Sequence, residues 1–192
     1  MTAAELAEAV GRSVPGGVVS HSDGVDMPTL VTDVDHLLDV CRALRDEQGK
    51  NFLSAVSAVD FLGYGESVAG YFGTERGRDM NATGSWGASR TAAPPDKRFC
   101  VSYHLAHVDR DGGPPARVRV EVFVDDGQDV PSVVEIWPTA DWHEREQWDM
   151  MGVRFAGHPN LKRLLMPSDW DGHPLRKDYP IGGEPVQFTD AT

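Results

Sequence analysis

The sequence predicts an α+β fold. It is a two-layer arrangement in which an antiparallel meander sheet carries helices packed on one face, followed by an extended, irregular C-terminal tail. Three observations support this: one stretch with helical apolar periodicity, several short runs with strand character, and prolines that recur beyond residue 152 too often for any long element. A chain of 192 residues can bury one good core, with at most a small accessory lobe.

Taken in order, Met27 to Val31 reads as a short strand opened by Pro28. The first clear helix is expected over Val34 to Gln48. Asp33 is its N-cap, Val34, Leu37, Cys41 and Leu44 form one stripe with Leu38 beside it, and Gly49 is the stop. Asn51 to Phe61, rich in small and β-branched residues, reads as a strand. Gly63 to Lys97 holds many glycines, Pro94-Pro95 and Trp86, and reads as a loop or insertion.

Phe99 to Val108 is expected to be a strand ending at the turn Asp109 to Gly113. Arg117 to Val124 alternates strictly, with Val118, Val120, Val122 and Val124 on one face and Arg119, Glu121 and Phe123 on the other. The turn Asp125-Asp126-Gly127 leads to a predicted strand over Val133 to Trp137, so that two adjacent hairpins make the meander. A second helix is expected to start at Asp141, with Glu144 completing a capping box, and to end near Gly152. From Leu161 onward the chain should be extended and turn-rich. This divides the chain into a globular domain over 1–140, with 63–97 as its insertion, and a helix with a docking tail over 141–192.

Charge and composition narrow the function. A net charge of −12 argues against nucleic acid and against direct adsorption to anionic lipid. No apolar run approaches the roughly 20 residues that span a bilayer. The alanine-rich, acidic start lacks the basic and apolar regions of a secretory signal. These features predict a cytosolic chain, or one held at a membrane through protein partners. Between Asp141 and Tyr179 acids and bases nearly balance, so the acidic surplus belongs elsewhere. That balanced block also holds Trp142, Trp148 and Trp170, with Trp137 just before it, and looks like a surface for protein contact.

Catalytic and metal-binding patterns fall short. His143-Glu144 suggests the HExxH zinc motif, but position 147 is Gln147. His104 and His107, three apart on a strand, face opposite ways. Cys41 and Cys100 belong to no CxxC pair and read as core residues. There is no GxSxG elbow and no phosphate-cradling loop. No catalytic, cofactor-binding or metal-binding residue is therefore expected.

Glu144, Arg145, Glu146 and Asp149 crowd four charges into less than two helical turns. Arg145 and Asp149 stand at i,i+4, a pair worth a few tenths of a kcal/mol if exposed. A solvated face is the simpler reading. The large apolar residues of the same helix, Trp142, Trp148, Met150 and Met151, favour a buried network whose charges need partners. His158 and His173 each sit in Gly-His-Pro, a turn signature with a hydrogen-bonding side chain.

Those residues carry a resemblance. Glu144-Arg145-Glu146-x-x-Asp149, then Gly152-Val153-Arg154-Phe155 and Gly157-His158-Pro159, is similar to the signature of the 30-kilodalton subunit family of respiratory complex I. So is the continuation through Leu161 to Leu165, Asp169-Trp170, and Gly172 to Pro180. The match is dense from about Val133 to Pro180. Met150-Met151 replaces the family's usual Leu-Phe, and the Gly63 to Lys97 segment is longer than the family's connection.

The resemblance implies a non-redox subunit in the peripheral arm of a proton-translocating NADH–quinone oxidoreductase, on the cytoplasmic side of the cell membrane. The chain would be part of that enzyme without catalytic residues of its own. Flavin mononucleotide, iron–sulfur clusters and quinone would belong to partner subunits, and the chief partner would be the large quinone-site (49-kilodalton, D-type) subunit. Glu144, Arg145, Glu146 and Asp149 would form a local network. His158, Arg163, Trp170, His173, Arg176, Lys177, Asp178 and Tyr179 would tie down the tail or face the neighbour. A related membrane-bound hydrogenase, or a ferredoxin- or deazaflavin-dependent quinone reductase, fits the same residues. A stand-alone metal hydrolase using His143 and Glu144 is the alternative of another class.

Overall fold

The buried valines of one strand organise the molecule. The computed structural model describes residues 1–62, 96–109 and 116–179. The predicted insertion, apart from its last residues, the turn after Asp109 and the chain beyond Tyr179 lie outside the described residues. A five-stranded sheet has the order β1-β2-β5-β4-β3, made of β1 (Ser20–Ser22), β2 (Thr29–Thr32), β3 (Phe52–Asp60), β4 (Phe99–His107) and β5 (Ala116–Val124). β3, β4 and β5 form an antiparallel meander, in place of the one expected from Phe99 to Trp137, and β1 pairs antiparallel with β2. β2 lies parallel to β5, so the sheet is mostly but not wholly antiparallel.

The register explains the core. Val118, Val120, Val122 and Val124 lie opposite Leu105, Tyr103, Val101 and Phe99, and all eight are buried. Leu53 and Val56 extend that row on β3, and Leu30 extends it on β2. Against it pack Leu6 and Val10 of α1 (Ala3–Ser13) and Leu37, Val40, Cys41 and Leu44 of α2 (Leu37–Asp46). Ala140, Met150 and Met151 of α3 (Ala140–Met151) complete the cluster. Each such side chain contributes about 1.5–3 kcal/mol when fully buried. Arg119, Glu121 and Phe123 alternate to the other face and remain half-exposed. Both cysteines are buried and free, as expected of core residues. Burial, with the negative charge of Glu121 adding to it, pushes the Cys100 thiol up to about 12.

Three local expectations are corrected. The N-terminal stretch, read only as alanine-rich and acidic, is helix α1. Thr2 and Glu5 cap each other reciprocally, with Glu5 N–H donating to Thr2 Oγ1 at 3.2 Å and Thr2 N–H to Glu5 Oε2 at 2.8 Å. The helix expected from Val34 is α2, and it starts at Leu37. Asp33 caps the preceding turn, its Oδ1 accepting from His36 N–H at 2.8 Å.

Val133 to Trp137 is a turn, not a strand. The N–H groups of Ile136 and Trp137 both reach Val133 O at 2.9 Å. Its apolar side chains are mostly buried as a strand's would be, but its remaining polar groups are satisfied from elsewhere. Trp137 Nε1 donates to Lys50 O at 3.1 Å, and Arg45 Nη1 donates to Ile136 O at 3.2 Å. A buried apolar run does not by its pattern distinguish the two. The pairing there is a two-residue parallel contact between β6 (Val130–Pro131) and β7 (Phe155–Ala156).

α3 also covers the open edge at β3. Gln147 Oε1 accepts from Ala58 N–H at 2.9 Å, and Thr139 Oγ1 donates to Leu53 O at 3.2 Å, which occupies backbone groups that would otherwise invite another strand.

Candidate functional site

Two carboxylates of α3, Glu144 and Asp149, are buried, and each gathers a different piece of irregular chain. Asp149 is completely buried. Its Oδ1 accepts from Arg163 Nη1 at 2.6 Å, and its Oδ2 accepts the consecutive N–H groups of Leu164, Leu165 and Met166 at 2.8–2.9 Å. Burial alone would raise this carboxyl. The N–H groups and the Arg163 guanidinium overcome that and hold it at about 2.

Arg163 extends the clamp, with Nη2 donating to Trp170 O at 2.8 Å and Gly172 O at 3.1 Å. The free carbonyls at the end of α3 are capped by the tail. His173 Nδ1 donates to Asp149 O at 3.0 Å, and Leu175 N–H donates to Met150 O at 2.9 Å. Gly152 makes this approach feasible. Its φ is +75°, and a Cβ there would lie 2.6 Å from His173 Cδ2.

Glu144 is the second fully buried carboxyl. It accepts from Ser132 Oγ at 2.6 Å and from Val133 N–H at 2.8 Å. His158, its side chain also buried, places Nε2 4.0 Å from Glu144 Oε2 and donates to Asp141 O at 3.2 Å. Burial pushes Glu144 up to about 7, against the pull of its two hydrogen bonds. The expected capping box is absent, because Asp141 lies inside the helix and Glu144 reaches back to the 132–133 segment instead. The expected Arg145–Asp149 pair is absent as well. Arg145 donates to the carbonyls of Lys162 and Arg163 and stacks over Trp142 at 5.1 Å. Glu146 is half-buried and joins none of these bonds.

A third cluster ties the far end of the tail to the sheet. Asp60, at the end of β3, accepts from Arg98 Nε at 3.1 Å and Nη2 at 2.9 Å, and from the N–H groups of Leu62 and Lys177. Burial opposes its ionisation, but these donors hold it at about 2. Arg98 also meets Asp126 and Asp178, each at 2.9 Å. Arg176 joins the same two aspartates, and both guanidinium groups lie over the Phe99 ring, at 4.9 and 5.2 Å. Lys177 acts through its main chain, its side chain being exposed. Tyr179 lays its ring against Gly172, where a Cβ would come within 2.8 Å.

The structure thus brings Asp149, Arg163, Trp170 and His173 into one cluster, Glu144 and His158 into a second, and Arg176, Lys177 and Asp178 into a third. Sequence reasoning misses Asp60, Arg98, Asp126 and Ser132. They stand before residue 141, and the side chains and tail amide they hold in these clusters are 12 to 117 residues away, with no local spacing to reveal them. Among the described residues no group of three or more His, Cys, Asp or Glu side chains is arranged to hold a metal ion, and no helix is long and apolar enough to cross a membrane.

Comparison with known proteins places the chain within a family. Residues 30–185 match the family described as the respiratory-chain NADH dehydrogenase 30 Kd subunit. The chain is 42% identical over 166 residues to the C-type subunit of NADH-quinone oxidoreductase from Saccharopolyspora erythraea, covering 85% of this chain and 53% of that protein. It therefore spans about half the length of that relative. It is 42% identical to the corresponding protein of Coxiella burnetii, over 84% of this chain and 70% of that one. It is 34% identical to that of a Roseiflexus species, over 97% and 88%. The fold, the signature helix and this match over most of its length agree: the chain belongs to the family of the 30 Kd subunit of respiratory-chain NADH dehydrogenase.

Proposed function

We propose that this chain is a structural, non-redox subunit in the peripheral arm of an NADH–quinone oxidoreductase, on the cytoplasmic side of the membrane. In this reading it holds the large quinone-site subunit in place while flavin, iron–sulfur clusters and quinone are bound by other chains. One observation carries the reading. Asp149, Glu144, Arg163 and Arg176 are spent on internal anchoring, while Trp142, Leu165 and Leu175 of the same segment remain about 60% exposed. Large apolar side chains on a rigidly anchored, irregular surface suit a permanent protein neighbour.

The test is to replace Trp142 and Leu175 together by alanine and purify the complex through a tag on this chain. Co-eluting chains would be identified by mass spectrometry, and NADH–quinone activity measured in membranes. Loss of the large subunit and of activity, with the chain itself still folded, is the expected result. Full recovery of partners at normal stoichiometry would refute the docking role. Co-elution of hydrogenase subunits, or of ferredoxin-linked ones without an NADH-binding flavin subunit, would assign the chain to a related assembly.

A further inference from the structure

The two completely buried carboxyl groups of α3 are held in opposite ways. Asp149 has a guanidinium and three amide donors. Glu144 has one hydroxyl and one amide, and no arginine or lysine nitrogen lies within 4.0 Å of it among the described residues. The groups that face it come from every element packed around it. Asp141 stands on α3 itself, and His158 on the turn after β7 lies 3.4 Å from Asp141 Oδ1. Tyr103 of β4 and Cys41 of α2 are both fully buried, and both sense its charge.

None of these supplies a fixed cation. His158 Nδ1 accepts from Asn160 N–H at 3.0 Å, so its proton sits on Nε2 and is directed at Asp141 O. The Tyr103 hydroxyl and Asp141 Oδ1 are buried with no hydrogen-bond partner among the described residues. An ionised Glu144 would be a buried anion beside a second carboxylate, and taking up a proton relieves that.

We propose that Glu144 is a proton-binding latch, holding the 132–133 segment and the 157–160 turn against α3 when protonated and loosening them when ionised. The reason is linkage. Any opening that brings Glu144 into water is favoured as pH rises from the ordinary glutamate range to the value at which the buried group ionises. The two covering segments that are not helix or extended strand are these, so they open most easily. The 157–160 turn is also where the chain leaves its last strand for the tail. Its closure thus sets where the tail begins. This inference concerns the chain alone and stands or falls independently of the docking role.

The experiment is hydrogen exchange on the full chain at pH 6 and pH 8, corrected for the intrinsic rate. Opening at residues 132–134 and 157–160 is expected to rise about tenfold between those values, while the amides of Leu164, Leu165 and Met166 do not change. Glu144→Gln should abolish the rise. Equal protection at both pH values, or a rise that persists in Glu144→Gln, overturns the proposal. Should that variant not fold, carboxyl 13C titration of the Glu121→Gln protein decides. Glu121 is the other described glutamate that burial raises, so a neutral-range titration surviving its removal supports the latch. Titration of every glutamate below pH 6 refutes it.

Discussion

Arg163 and Asp149 form a buried ion pair at 2.6 Å in which each partner also organises separate backbone. The carboxylate gathers the N–H groups of residues 164–166, and the guanidinium gathers the carbonyls of Trp170 and Gly172. A stretch with little regular structure is thereby fixed to the end of a helix without a strand ladder. The hydrogen bonds that a sheet would supply come instead from two side chains.

Removing either member leaves the other uncompensated. Asp149→Ala is expected to destabilise the chain by about 3–5 kcal/mol, because a mostly buried guanidinium and three amides lose their acceptor. Asp149→Asn should cost less, since its oxygen still accepts from some of those amides. Urea unfolding monitored by tryptophan fluorescence checks both, and near-equal stability of wild type and Asp149→Ala would contradict the anchoring role.

The two arginines of the third cluster should differ. Arg98 is bidentate to Asp60, whose side chain is 1% exposed, whereas Arg176 meets Asp126 and Asp178, which are nearly half exposed. Arg98→Ala should therefore cost about 3–5 kcal/mol by stranding a buried carboxylate. Arg176→Ala should cost about 1 kcal/mol. Thermal denaturation of the two variants side by side gives the comparison.

Gly152 and Gly157 both have φ near +80°, but only Gly152 is crowded. Alanine at Gly157 should cost about 1–2 kcal/mol for the left-handed backbone alone. Gly152→Ala should cost more, because its Cβ also displaces His173. Limited proteolysis should then show faster cleavage beyond residue 163 in Gly152→Ala than in Gly157→Ala.

Acid stability follows from Asp149 and Asp60. Both are held at about 2 in the folded chain, below the ordinary aspartate value of 3.8. Depressed carboxyls stabilise the fold above the unfolded value, and that stabilisation is lost as pH falls through the folded one. Stability should therefore drop between about pH 4 and pH 2. Asp60→Asn should flatten part of that drop in urea unfolding measured across the window.

Strands β3, β4 and β5, the α2 stripe and the stop at Gly152 are legible in the sequence because their signals lie within a few residues, whereas which strands pair as a meander is not. Apolar period and glycine conformation are local properties. The turn at Val133 to Trp137 is not legible, since the bonds that complete it beyond its own Val133 carbonyl come from Arg45, Lys50 and Glu144, far off in the sequence. Helix α1 is written in Thr2 and Glu5, a capping box hidden within an alanine-rich run.

By itself the sequence determined the α+β class, the inward row of Val118 to Val124, the family and the residues whose charges gather near the C-terminus. Tertiary structure alone decided how those charges are used. It paired Arg163, not Arg145, with Asp149, and it brought Asp60, Arg98 and Asp126 to the tail. Among the described residues it also left Glu144 with no arginine or lysine nitrogen within 4.0 Å. Electrostatic partnership depends on distance in space and on exclusion of water, and neither is a function of spacing along the chain.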